Sequence, residues 1–384
     1  MVNFNYFSNL FSTLFKKHLV HSLSLLLFCN GLCGQRDSLR YSGWQIKPVI
    51  NAGFVLVHRI SIGHLVKGYP INYELNLSKA TLGNKLWHLE NNKPDVGLSL
   101  QCLDFKNPSK LGYALTAAPF VEIPLNVKER ASRMILRLCF GATYITKSFD
   151  IKDNHKNIAI GSHVNAFVQF KWFWQLQVSK NFRFEPGFAF THASNGKAKN
   201  PNLGLNVVSL NFGLNYSIPS KYKPQVTRID STTKVKSKNE VLTFAALGIN
   251  QRGIAEKQLR TFVFSLVFQR NVRNTHKFSA GLDFYYDENY FIDFENKYFK
   301  NPEGVDKLRI STRLGYSYNV GRISFPIEIG YYAFQKVNPD GPVVSRIGVR
   351  YYSACGLIGH FGLRTHFAVA YTFEYGLGYR FFIK

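Results

Sequence analysis

Apolar and polar residues alternate with a period of two through most of this chain. Met134, Leu136, Leu138, Phe140, Ala142 and Tyr144 interleave with Arg133, Arg137, Gly141 and Thr143. Phe278, Ala280, Leu282, Phe284 and Tyr286 interleave with Lys277, Ser279, Gly281 and Asp283, and the chain closes with Phe373, Tyr375, Leu377, Tyr379, Phe381 and Ile383 against Glu374, Gly376, Gly378 and Arg380. A period of two puts alternate side chains on opposite faces of a strand. The segments run to about ten residues, with aromatics on one face and arginine, glutamate and glycine on the other. That is the pattern of strands spanning an outer membrane. A soluble sandwich also alternates, but it rarely keeps charge and glycine so regularly opposite aromatics. Helical periodicity is scarce. The predicted fold is all-β, a transmembrane antiparallel up-and-down β-barrel of about 12 to 14 strands counted from residue 70.

The organisation follows from where the alternation breaks. Residues 1–34 read as a secretory signal: Lys16, Lys17 and His18 precede the short apolar run from Leu19 to Phe28, and small residues lead to Gly34. That run is too short to span a bilayer as a helix. Residues 35–69 are less regular and form either an arm or a first weak strand. Residues 70–217 make a first barrel half. The polar stretch 218–240, with Pro219 and Pro224, is a long loop or a seam. Residues 241–384 make a second half ending in a closing strand.

Charge and cysteines narrow the class. The formal charge is +25, and removing Lys16 and Lys17 with the signal leaves +23. Such a balance fits nucleic acid or an anionic surface. The charge is spread along the chain and no nucleic-acid motif accompanies it, so phosphorylated membrane lipid is the favoured partner, with plain solvated charge still open. Beyond the signal only Cys102, Cys139 and Cys355 remain, an odd number that argues against a disulfide framework in an exported protein. No Cys/His cluster has zinc-ligand spacing, and no cofactor is expected.

Candidate chemistry lies at the end of one aromatic stripe. Phe182, Phe184, Pro186, Phe188, Phe190, His192 and Ser194 share a strand face, with Arg183, Glu185, Gly187, Ala189, Thr191 and Ala193 on the other. A turn-forming stretch follows, with Asn195-Gly196, Lys197, Lys199, Asn200-Pro201-Asn202 and Gly204. The next strand carries Asn206, Val208, Leu210, Phe212, Leu214 and Tyr216 on one face. A symmetric hairpin puts Ser194 opposite Gly204 and His192 opposite Asn206, with Cβ atoms about 4.5–5.5 Å apart. Three polar side chains then converge on a lipid-facing surface, where an unpartnered polar group costs several kcal/mol. They either cap the hairpin at the membrane boundary or do chemistry there. His163, which falls with Asn165, Gln169 and Lys171 on a polar, lumen-facing side, and His366, after Arg364-Thr365 and without an evident partner, read as structural.

The spacing His192-x-Ser194-Asn195, Asn202-x-Gly204 and a polar residue at 206 resembles the lipid A 3-O-deacylase (PagL) family of outer-membrane β-barrel esterases. The resemblance implies Ser194 as nucleophile, His192 as general base, and Asn195 and Asn202, near Gly204, as donors at the oxyanion site. It implies lipid A of lipopolysaccharide, among outer-membrane lipids, as the substrate. In better-known members a glutamate matches position 206 and orients the histidine; here Asn206 stands there, which can fix a tautomer but carries no charge. Lys197 and Lys199 either meet lipid A phosphates or form a solvated loop. The competing reading is a non-catalytic outer-membrane barrel, a porin or structural protein, that retains the motif.

Overall fold

A computed structural model describes residues 43–126, 132–219, 239–367 and 369–383. Residues 1–34 and most of the 218–240 stretch therefore lie outside the described residues. The alternating segments form sixteen strands, all in antiparallel ladders. β1 (Trp44–Val55), β2 (Ile71–Ala80), β3 (Asp95–Asp104), β4 (Tyr113–Pro124), β5 (Ser132–Ile145), β6 (Val164–Gln177), β7 (Phe182–Ser194) and β8 (Leu205–Ser217) close into one barrel. β9 (Asn239–Gln251), β10 (Gln258–Arg273), β11 (His276–Asp287), β12 (Leu308–Val320), β13 (Ile323–Phe334), β14 (Val343–Tyr352), β15 (Leu357–His366) and β16 (Val369–Ile383) close into a second. A one-turn helix α1 (Leu86–Glu90) follows β2, and α2 (Glu288–Tyr298) follows β11.

The all-β, antiparallel barrel architecture is as the alternation predicts. Among the described residues the strands number sixteen, fifteen of them beyond residue 70 rather than 12 to 14, and they are divided into two rings of eight rather than joined in one. Periodicity marks strands but not closure, which depends on what the last strand of each run pairs with. β8 pairs with β1, with Ile50 opposite Phe212 and Val55 opposite Val207. β16 pairs with β9, with Tyr375 opposite Leu247. The stretch 35–69, left open as an arm or weak strand, thus contains the strand that closes the first ring. Pro48 in its middle has no N–H to give, and the ladder to β8 passes over Lys47 and Pro48 before resuming in the same register at Val49 opposite Gly213.

Both barrels are polar inside and apolar outside. Phe184, Phe188, Phe212, Phe264, Ile327 and Tyr375 are exposed, whereas Lys47, Arg137, Lys171, Arg309, Arg350 and Arg364 are among the most buried side chains. An eight-stranded ring is just wide enough for side chains to fill, and charges packed there must be paired. In the first barrel Glu122 is held by Lys47 and by Arg137, and Glu74 by Lys171 at 2.6 Å. In the second, Glu328 takes Arg313 and Arg350, each at 2.7 Å, and Arg346 bridges Glu374 and Asp283. Among the described residues no helix is long and apolar enough to cross a membrane; strands make the apolar belt.

The connections at one rim are mostly the longer ones. In the first barrel they fold over the mouth as an apolar cap, in which Ile62, Leu65, Phe105, Leu111 and Ile160 pack with Val55, Ala193, Leu205 and Val207. Ala193 and Leu205 are the inward neighbours of the outward-facing His192, Ser194 and Asn206. The cap therefore supports the polar cluster from behind.

Candidate active site

β7 and β8 pair with His192 opposite Asn206, and the ladder ends at Ala193 opposite Leu205. Gly204 lies just beyond, at φ +77°, where a Cβ would stand 3.1 Å from His192 Cε1 and 3.4 Å from Ser194 Cβ. Only glycine takes this backbone conformation freely, and only glycine leaves the imidazole its space. The Gly204 N–H donates to the Ala159 carbonyl of the cap at 2.9 Å.

The three side chains form a connected chain. His192 Nδ1 is 2.6 Å from Asn206 Oδ1, and His192 Nε2 is 3.0 Å from Ser194 Oγ. A carboxamide oxygen only accepts, so Nδ1 carries the ring hydrogen and Nε2 presents a lone pair to the Ser194 hydroxyl. This is the arrangement a general base needs. Ser194 is buried, and His192 and Asn206 are half-buried. Outward along the same strand face stand the exposed Phe182, Phe184 and Phe188.

The two asparagines of the following loop differ in what they have free. Asn195 donates its backbone N–H to Asn202 Oδ1 at 3.1 Å, and its Nδ2 to Ser162 Oγ at 2.9 Å and to the Lys199 carbonyl at 2.8 Å. Both of its donors are therefore engaged in folding the loop. Asn202 uses its oxygen for that contact, and its Nδ2 has no partner among the described residues.

One residue that sequence reasoning missed joins this group. The β1–β8 pairing continues past the strand end, where the Leu56 N–H donates to the Asn206 carbonyl at 2.8 Å. That brings His58 alongside: its Nδ1 lies 3.0 Å from Asn206 Nδ2, and its Nε2 lies 3.0 Å from the Leu203 carbonyl. A lone histidine after an irregular strand gave no sign of this, because barrel closure alone makes it a neighbour of Asn206. The other histidines lie elsewhere. His163 sits exposed at the rim rather than on the lumen side with Asn165, Gln169 and Lys171, and pairs with the Ile145 carbonyl at 2.8 Å. His366 is buried and pairs with the Tyr332 hydroxyl at 2.9 Å.

The loop carrying Asn195 to Gly204 is docked on the second barrel. Gln251, at the end of β9, gives its N–H to the Lys197 carbonyl at 2.9 Å and takes the Asn200 N–H on Oε1 at 2.6 Å. Its carbonyl accepts from Asn200 Nδ2 at 2.7 Å. Gly196, at φ +62°, lies so close to the Phe373 ring of β16 that no Cβ fits between them. The Lys197 ammonium stands 5.9 Å from the centre of the Tyr371 ring, whereas Lys199 is exposed.

A family model for lipid A 3-O-deacylase (PagL) matches residues 71–215, and one for the acyloxyacyl hydrolase C-terminal domain matches residues 239–384. No curated protein matches the chain. Among solved structures, a triple mutant of Rhodopseudomonas blastica porin is 9% identical, covering 88% of this chain and 98% of its own, with a TM-score of 0.17. Another mutant of the Rh. blastica porin is 10% identical, covering 88% and 99%, again with a TM-score of 0.17. The two family matches fall on the two barrels in turn and together take in most of the chain, which belongs to the lipid A 3-O-deacylase (PagL) family.

Proposed function

We propose that this protein is an outer-membrane serine esterase that removes the 3-O-linked acyl chain of lipid A, using Ser194 and His192. The observation that carries the reading is the hydrogen-bonded run from Ser194 through His192 to Asn206, opening onto a phenylalanine surface at the rim with the longer loops. Outer-membrane barrels keep their longer loops on the outer side, the leaflet in which lipid A resides. An ester bond at the headgroup boundary then meets Ser194 while its acyl chain lies against Phe188 and its neighbours. Lys197 and Lys199, at the same level, suit the phosphates of the glucosamine backbone.

The chemistry needs nothing beyond side chains and water. His192 Nε2 takes the Ser194 proton as Oγ attacks the ester carbonyl, and Asn202 Nδ2 donates to the negative oxygen that forms. Collapse breaks the bond to the sugar oxygen, which leaves as the free hydroxyl with the proton from Nε2. Water, deprotonated by the same nitrogen, then attacks the acyl-serine and releases the fatty acid. Asn195, with its donors engaged, holds the loop rather than the oxyanion.

The lumens weigh against the porin alternative. Among the described residues both are filled by paired arginines, lysines and carboxylates, as befits an eight-stranded ring just wide enough for its side chains. The test is mass spectrometry of lipid A incubated with the detergent-refolded protein, its Ser194→Ala and its His192→Ala variants. Loss of one ester-linked 3-hydroxyacyl mass with the unaltered protein alone is the expected result. An unchanged lipid A from a folded, heat-modifiable protein returns the assignment to a non-catalytic barrel, and loss of a different chain corrects the position.

A further inference from the structure

An asparagine behind a catalytic histidine has a weakness that a carboxylate lacks. Both oxygens of a carboxylate accept, so either one holds a histidine N–H. A carboxamide has one accepting and one donating end of nearly the same shape. With Asn206 turned over, Nδ2 would face His192 Nδ1, and the ring hydrogen would have to move to Nε2. A protonated Nε2 cannot take the proton of Ser194. Productive chemistry therefore depends on what holds the far end of the Asn206 amide.

That far end meets His58. The Leu203 carbonyl can only accept, so His58 Nε2, 3.0 Å away, carries the ring hydrogen. His58 Nδ1 is then a lone pair, and Asn206 Nδ2 donates into it at 3.0 Å. The Leu56 carbonyl lies 3.5 Å from Nδ1, too long to hold a hydrogen there against the shorter contact at Nε2. Every bond then runs the same way: Ser194 donates to His192, His192 to Asn206, Asn206 to His58 and His58 to Leu203. Reversing the amide would set its oxygen against the His58 lone pair and break the order at two places.

We infer that His58 is a positioning residue for the proposed reaction: as an acceptor it fixes the Asn206 amide, and thereby the His192 tautomer able to act as a base. The inference rests on the Ser194/His192 reading. It assigns to the β1–β2 connection a task that a carboxylate at position 206 would make unnecessary.

The decisive variable is the hydrogen-bonding polarity at position 58, not its bulk. In nitrogen-15 histidine spectra of the micelle-bound protein, with His192 identified by its loss in His192→Gln, the Nδ1–H tautomer is expected. His58→Glu keeps an acceptor and retains that tautomer, whereas His58→Lys, a donor only, shifts it to Nε2–H. In acyl release, His58→Ala lowers kcat a few-fold and His58→Glu recovers most of the loss. His58→Lys lowers kcat roughly thirty-fold or more, with KM nearly unchanged. In an Asn206→Asp background, where both oxygens accept, the spread among these variants collapses. An unmoved tautomer in His58→Lys, equal losses for all three substitutions, or a spread that survives Asn206→Asp overturns the inference. A protein that releases no Ser194-dependent fatty acid overturns the proposed reaction instead, and the tautomer measurement still decides the role of His58.

Discussion

Asn202 and Asn195 stand seven positions apart in one turn and divide two tasks that the same residue type can perform. Asn195 has its N–H on Asn202 and its Nδ2 on Ser162 and Lys199, so it shapes the loop. Asn202 has a donor to offer. Asn202→Asp keeps the oxygen that accepts the Asn195 N–H but removes Nδ2 and adds charge beside the proposed oxyanion. Its kcat is expected to fall by about 10²–10³ while its folding, read by heat-modifiable migration, is retained. Asn195→Ala should do the opposite in part. It loses two half-buried hydrogen bonds, costing about 1–2 kcal/mol of local order, which appears as faster proteolysis within residues 195–204.

At the scale of the hairpin, β7 and β8 do two things at once. Their outward face exposes Phe184, Phe188 and Phe212, the surface proposed for acyl chains, and their register sets His192 against Asn206. The turn between them must end without crowding the imidazole, and Gly204 achieves this. Gly204→Ala places a methyl 3.1 Å from His192 Cε1 in a left-handed backbone conformation, costing about 1–2 kcal/mol. The expected result is a drop in kcat larger than the drop in stability, because the ring must tilt away from Ser194. Measuring urea midpoint and turnover on the same preparation separates the two effects.

The described residues form two barrels, and the second touches the loop that carries the candidate site's asparagines. Gln251 holds the Asn195–Gly204 loop at three points through Lys197 and Asn200. Gln251→Ala keeps the two contacts made by its backbone but removes the Oε1 that accepts the Asn200 N–H; it is expected to lower kcat/KM by about three-fold, by loosening a loop whose placement matters at the 1 Å level, without altering barrel formation. Stability resides in the lumens. Glu122→Gln leaves Lys47 and Arg137 short of their shared buried counter-charge, and breaking a buried pair in this way costs about 3–5 kcal/mol. A lowered urea midpoint, with residual activity normal in the fraction still folded, is the expected outcome.

Alternation along the chain was enough to place the strands, to tell which face meets lipid, and to single out three polar residues on an aromatic face. These are local consequences of a two-residue period, so the chain states them directly. The simple hairpin register also brought His192 opposite Asn206, since two strands that must turn their aromatic faces the same way leave few registers open. Closure was not legible. Whether β8 meets β1 or runs on to β9 is a choice between partners far apart in sequence, and strands of one pattern suit either. The same limit hid His58 and Gln251, which lie 134 and 59 positions from His192 and carry no motif. Only the closing of the first ring sets His58 beside Asn206, and only the packing of one barrel on the other sets Gln251 beneath the loop. The sequence by itself determined the kind of surface and which polar residues stand on it, because both follow from neighbours on one strand or hairpin. The tertiary structure alone decided that there are two rings and which distant residues lie against Asn206 and the loop that follows Ser194, because those contacts depend on the ends of the ladders meeting.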